Sequence, residues 1–351
     1  MTQLTDIIVK QIERSGPITV AEYMAQCLLH PKHGYYTTRQ PLGAKGDFIT
    51  APEISQMFGE MIGLCLAQTW MDQGMPKPFT LAEIGPGRGT LMSDILRATK
   101  GVSGFHEAAQ VFLVEASPRL QQEQAETLAG YDATWAGDVT QLPDRALFLV
   151  ANEFFDCLPI QQFIRTDNGW QEQMVATEDG KLGVILGAQK PVEIYGDAPL
   201  RTILEICPSA NAITADIAQM VGKHGGTAFI IDYGDWDVTG DTLQAISNHQ
   251  KVDALENCGA ADLTAHVNFK ALATAAAPFA QVSGLTNQGV FLERLGITAR
   301  AQSLATQLQG DTLENHITAH RRLTHPDEMG QLFKAIALTP KGAVHPAGFD
   351  T

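Results

Sequence analysis

The sequence predicts an α/β fold, a doubly wound sheet with helices on both faces, and three observations carry that expectation. Short apolar strands stand at 79–84, 110–115, 133–136, 147–152 and 227–233, helix-length segments separate them, and a glycine-rich turn follows the first directly. Strands alternating with helices read as βαβ units, which place their strands parallel.

The elements follow in order. Leu4, Ile7, Ile8 and Ile12 recur at helical spacing within residues 4–14, and Pro17-Ile18-Thr19-Val20 introduces a second helix over 21–29. Residues 30–52, rich in Gly, Pro and Thr, are expected to form a long loop, and long loops in compact domains are often functional. A helix over 55–70 then leads into the first strand. The rhythm breaks at 160–196, where short strands at 161–165, 170–176 and 182–186 surround turns at Asp167-Asn168-Gly169 and Glu178-Asp179-Gly180. From 288 to 338 the pattern turns helical again. Five segments result: residues 1–54, N-terminal helices and a covering loop; 55–159, the first part of the core; 160–200, an inserted β-hairpin region; 201–287, the second part of the core; and 288–351, a helical C-terminal part.

Composition narrows the function. At 351 residues, 44% apolar and 18% charged, the chain is an ordinary globular protein with ample core. Its net charge of -15, from 24 basic and 39 acidic side chains, repels a phosphate backbone and favours cationic partners. Nucleic acid is therefore not expected as a partner. Cys27, Cys65, Cys157, Cys207 and Cys258 lie far apart with no C-x-x-C pair, which suggests neither a zinc site nor a disulfide framework, and no metal is called for. No apolar run approaches the ~18 residues of a membrane span. Residues 1–16 have mixed charge and no apolar core, so a cytoplasmic protein is expected.

The run Glu83-Ile84-Gly85-Pro86-Gly87-Arg88-Gly89-Thr90 closes the first strand and opens a helix over 91–97. Glycines allow the tight turn and let a ligand reach main-chain atoms; an ordinary strand-to-helix turn is the alternative. A dinucleotide fold prefers G-x-G-x-x-G, whereas position 90 is Thr, and Pro86 removes an amide that a pyrophosphate could use. Both departures favour a nucleoside without phosphates, such as S-adenosylmethionine, over NAD. Glu83, Gly85, Gly87 and Gly89 are then candidate contacts. Glu115 ends the next strand, where a carboxylate can accept two ribose hydroxyls, although an acid beside the helix start at Ser117-Pro118 is favourable in any case. Asp138, at the end of the third strand, is placed either to meet an adenine amino group or to make a plain turn. Ala151-Asn152-Glu153-Phe154-Phe155-Asp156 follows the fourth strand, and ligands of open α/β sheets bind outside the carboxyl ends of the strands. Glu153 and Asp156, three apart, would share one side of a helical turn and could clamp a guanidinium, or else cap a helix beside an aromatic pair. Asp232 ends the fifth strand. His266, after a turn containing Asp262, is a structural histidine or one that handles a proton.

The run Gly43-Ala44-Lys45-Gly46-Asp47-Phe48-Ile49-Thr50-Ala51-Pro52-Glu53-Ile54-Ser55-Gln56-Met57-Phe58-Gly59-Glu60 resembles the signature of the MidA-like methyltransferases. The stretches 83–90, 114–118, 152–159, 231–234, 262–269 and 322–324 match the same family in the same order, over nearly the whole chain. The resemblance implies a class I methyltransferase (Rossmann-like) fold, S-adenosyl-L-methionine as cofactor, and a protein-arginine substrate. A mitochondrial member of the family dimethylates an arginine of a complex I subunit symmetrically, so a respiratory complex subunit is an implied partner. It also places the loop 46–55 over the cofactor, with Asp47 and Thr50 as contacts. With no Arg-rich, acid-poor presequence, the chain reads as a bacterial relative. On this reading Asn152, Glu153, Asp156, Asp232 and His266 are the catalytic candidates. Methyl transfer from a sulfonium needs chiefly in-line positioning of the acceptor nitrogen. A small cationic metabolite as substrate and a non-catalytic assembly factor are the competing readings, and a homodimer is allowed.

Overall fold

The computed structural model describes residues 2–38, 49–190, 198–247 and 249–350. Contacts divide the chain into two compact units, one made of Met1–Phe48, Asp156–Ala210 and Asp237–Val267, the other of Ile49–Phe155, Asn211–Trp236 and Asn268–Thr351.

The second unit holds the main sheet. Its first core strand, Phe79–Ile84, is buried along its whole length, as two-sided coverage of a parallel strand requires. It lies parallel between Ala109–Val114 and Leu147–Asn152, the second and fourth core strands. The third, Ala133–Ala136, pairs with the second, and the fifth, Gly226–Asp235, with the fourth. Strand order therefore reverses between the first and fourth strands, and ligands of such sheets bind beyond the strand ends at that reversal.

The sheet is mixed rather than wholly parallel. Phe333–Thr339 runs antiparallel along the fifth strand, so the expected helical pattern to 338 holds through the helix Asp311–Thr324 and the helical segment Pro326–Gly330 and ends where the strand begins. All seven residues of the strand are buried, and so short a buried run carries no periodicity that distinguishes strand from helix.

Helix Gln56–Asp72, capped by the Ser55 hydroxyl, packs closely on helix Thr90–Thr99. A Cβ on Gly59 would stand 2.5 Å from the Asp94 Cβ, and one on Gly63 2.9 Å from the Ile95 Cα, so these glycines set the approach. Buried Glu60 accepts from Arg97 Nη1 and Arg300 Nε, both at 2.7 Å. Burial alone would raise its proton affinity, but the two guanidiniums outweigh that and hold it below the usual carboxylate range.

The first unit packs helices Gln3–Ser15 and Val20–Leu29 around Ile8, Ile12, Tyr23, Met24, Val175 and Leu263. Thr19 and Glu22 close the second helix with a reciprocal capping box. Strands Gln161–Thr166, Gly169–Glu178 and Lys181–Lys190 form the expected hairpin region, joined by Ile203–Ile206. A further small sheet pairs Gln244–Ser247 with Gln250–Val252 and Asp262–Thr264, so Asp262 opens a strand rather than sitting in a turn. Within 30–52, expected as loop, single helical turns form at Tyr35–Thr38 and Ala51–Ile54. Among the described residues no helix is long and apolar enough to cross a membrane.

Candidate active site

The glycine loop leaves the first strand with Gly85, Gly87 and Gly89 at φ of 63°, 54° and 80°, the left-handed region that side chains resist. At Gly85 a Cβ would also lie 2.9 Å from Phe154 Cδ2, an aromatic from the turn after the fourth strand. Fully buried Gln124, on helix Pro118–Thr127, fixes the loop from the other side. Its Nε2 donates to the Gly87 carbonyl at 2.8 Å and to Glu115 Oε2 at 3.1 Å, while its Oε1 accepts from Trp135 Nε1 at 2.8 Å. Glu53, on Ala51–Ile54, accepts from Thr90 Oγ1 at 2.5 Å and from Arg88 Nη1 at 3.3 Å, joining the segment before the long helix to the same loop.

Glu115 is half-buried just past the second strand. Its Oε1 accepts from the Ser117 N–H at 2.7 Å, and burial raises its proton affinity against that bond and the one from Gln124. A carboxylate has about four acceptor positions, so capacity for hydroxyl donors remains. Asp138 is exposed and caps a short turn, accepting from the Thr140 N–H at 2.8 Å and from Gln141 Nε2 at 3.2 Å. Thr50 precedes Ala51–Ile54 as its N-cap residue without a side-chain cap bond. Asp47 lies outside the described residues.

At the carboxyl ends of the first and fourth strands, and beside them on the fifth, stand three acids and an amide. Glu83 is buried; the Met92 N–H bonds its carboxyl, Oε2 has no partner, and burial pushes the proton affinity up to about 8. Asn152 is buried with its Oδ1 unpartnered, and its Nδ2 donates to Glu153 Oε1 at 3.0 Å. Glu153 turns the chain sharply, at φ 53°, while its N–H continues the sheet to the Ile231 carbonyl at 2.9 Å. Its Oε1 also accepts from the Ala51 N–H at 2.9 Å. Burial pushes its proton affinity up to about 7, against these two donors and the charge of Arg322. Asp232 is fully buried, and its carboxylate holds the N–H groups of Phe155 and Tyr233, both at 2.9 Å. These are the contacts of a brace for the turn that carries Glu153.

Two of the catalytic candidates fall in the first unit. Asp156 is buried, and its carbonyl accepts from the Ala265 N–H at 2.9 Å. The segment from 153 to 159 forms bends and turns, not a helix, so the helical spacing expected to bring Glu153 and Asp156 to one side does not exist. The left-handed Glu153, pinned to Ile231, directs the chain out of the sheet before a helix can start. Half-buried His266 donates its N–H to Thr242 Oγ1 at 2.9 Å. In the same unit the Tyr36 hydroxyl donates to Asp262 at 2.9 and 3.0 Å, and burial, then the Asp262 charge, raises its proton affinity.

The second unit thus gathers left-handed glycines, carboxyl groups and an orphaned amide oxygen along one set of strand ends. Acceptors of this kind fit the hydroxyls, ammonium and sulfonium of S-adenosyl-L-methionine, which bears no phosphate. Residues 61–287 match the family described as "Putative S-adenosyl-L-methionine-dependent methyltransferase". The chain belongs to this methyltransferase family. The methyltransferase is 35% identical to the Xenopus laevis protein arginine methyltransferase NDUFAF7, mitochondrial, over 96% of its own length and 84% of the relative's. Its identity to the Homo sapiens protein of the same name is also 35%, over 97% and 84%. A Burkholderia thailandensis superfamily member solved with S-adenosyl-homocysteine superposes with a TM-score of 0.84 at 28% identity, covering 99% of the methyltransferase and 92% of that chain. Fold, enzyme class and cofactor are those the sequence predicts.

Proposed function

We propose that this methyltransferase modifies an arginine side chain of a protein partner, and that Glu153, with Asn152 beside it, receives the guanidinium. The carrying observation is the pairing of a carboxyl group at the end of the fourth strand, Glu153, with an amide oxygen, Asn152 Oδ1, that is buried and lacks a donor. A guanidinium is a fork of N–H donors that suits both. S-adenosyl-L-methionine, when bound, supplies a methyl group already activated on a sulfonium. Glu83, the glycine loop and Glu115 are the groups assigned to hold it. Glu153 and Asn152 orient one guanidinium nitrogen toward that methyl; as its N–CH₃ bond forms and the S–CH₃ bond breaks, the nitrogen gives up one proton. Glu153, whose affinity lies near 7, can accept that proton and pass it to water.

Asp232 braces the turn. Asp156 lies across the division of the chain, and no role at the acceptor nitrogen is assigned to it. Arginine as substrate is supported by the relatives named as protein arginine methyltransferases, and a basic partner by the net charge of -15. A respiratory complex subunit as target, and a bacterial cytoplasmic setting, belong to the same reading. The test is to incubate the protein and methyl-labelled donor with a lysate from cells lacking this methyltransferase, then locate the label by mass spectrometry. Label on an arginine of a protein is expected. Label confined to a small metabolite, or to another side chain, would overturn the reading.

A further inference from the structure

The hairpin strand Lys181–Lys190 is an edge. It pairs with Gly169–Glu178 along its length, the far side of Gly169–Glu178 is taken by Gln161–Thr166 and Ile18–Thr19, and among the described residues no strand covers the other side of Lys181–Lys190. Val184, Ile185 and Leu186, successive residues and so on both faces of the strand, are 49%, 43% and 48% exposed. A long apolar edge with open N–H and C=O groups is a template for another strand, and proteins cover or charge such edges.

Which groups are open follows from the turn. Asp179 and Gly180 both have positive φ, 50° and 74°, so a two-residue turn joins Glu178 to Lys181 as a pair that exchanges both hydrogen bonds. Alternation then directs the main chain of Lys181, Gly183 and Ile185 inward and that of Leu182, Val184 and Leu186 to the free edge. The regular register runs from Lys181 to Leu186 and is interrupted only beyond it, between the partners of Gln173 and Gln171.

We propose that this edge pairs with the same strand of a second copy of the chain, antiparallel, about a two-fold axis at Val184. Val184 then faces the partner's Val184, Leu182 faces the partner's Leu186, and Gly183 faces the partner's Ile185. Outward main-chain groups meet outward groups, and Lys181 faces the partner's Gly187, so no like charges are opposed. The strand's only charges are the lysines at its ends, which repel an arginine-rich segment and so disfavour a basic substrate peptide as the occupant. A two-fold pairing also closes on itself at this edge, so each copy covers the other's Lys181–Lys190 strand.

Sedimentation velocity of the full chain over a wide concentration range tests this. The wild type should dimerise. Val184→Lys and Val184→Glu should each lose the dimer, since like charges then meet at the axis, while their circular dichroism stays native because the side chain is exposed. Mixing the two variants should restore a dimer through the opposite charges. A wild type that stays monomeric throughout, a Val184→Lys protein that still dimerises, or a mixture that fails to reassociate would each overturn the pairing.

Discussion

Glu83 is an acid held in the protonated form by its surroundings, and that has a measurable consequence. Its folded-state affinity of about 8 exceeds that of a free carboxyl, so the native state keeps a proton that the unfolded chain gives up. The associated stability is fully present below the free-carboxyl value of 4.5, falls as pH rises from there to about 8, and is level above. Relative to Glu83→Gln, which is neutral at every pH, the wild type should lose up to about 1.4 kcal/mol per pH unit over that window. Denaturant unfolding of the ligand-free proteins at several pH values measures the difference, and parallel stabilities would show that Glu83 is ionised and solvated. Gln124 is the residue that sequence reasoning missed. Its signal was present: Leu120, Gln124 and Leu128 recur every four residues on one helix face, so a polar group stands within an apolar stripe. Glu115 was legible because strand-end acids follow from topology, whereas the amide that orients it comes from a distant helix turn. Gln124→Leu should weaken S-adenosylhomocysteine binding roughly tenfold, as one lost bond to a charged group implies, with calorimetry as the readout. Unchanged affinity would reduce Gln124 to a packing residue.

The core strands were readable because each is a short apolar run bounded by turn residues, and the strands at 79–84, 133–136 and 147–152 form over those residues. Phe333–Thr339 was not, since a buried run beside helices is strand or helix according to the partner it finds, here the fifth strand. The turn after the fourth strand was misread as helical because i, i+3 spacing says nothing about the φ of the first residue, and Glu153 is left-handed. That turn and the glycine loop depend on one another through Phe154 and Gly85. Gly85→Ala should therefore lower stability by about 1 to 3 kcal/mol, from φ strain and from the clash with the ring. In a Phe154→Ala background the same substitution should cost less, because only the φ strain remains. Equal costs in both backgrounds, measured by thermal unfolding, would show that ring and loop are independent.

Across the whole molecule, an acidic chain presents a set of strand ends rich in hydrogen-bond acceptors, suited to a cationic donor and a cationic substrate. The net charge of -15 disfavoured a phosphate-backbone partner, and the fold was legible from the alternation of strands and helices. The division of the chain into two units was not, because each unit is assembled from three separate segments. On the proposed function Glu153 handles the acceptor guanidinium and not the donor, and Glu153→Gln tests this by pairing donor affinity with turnover. S-adenosylhomocysteine should bind as tightly as in the wild type while arginine methylation slows roughly ten- to hundred-fold, from about 1.5 to 3 kcal/mol of lost charge-assisted bonding. The wild-type rate should rise with pH through about 7 as the carboxyl ionises, and that rise should vanish in the variant. Full turnover in Glu153→Gln, or a wild-type pH profile that the variant reproduces, would contradict it.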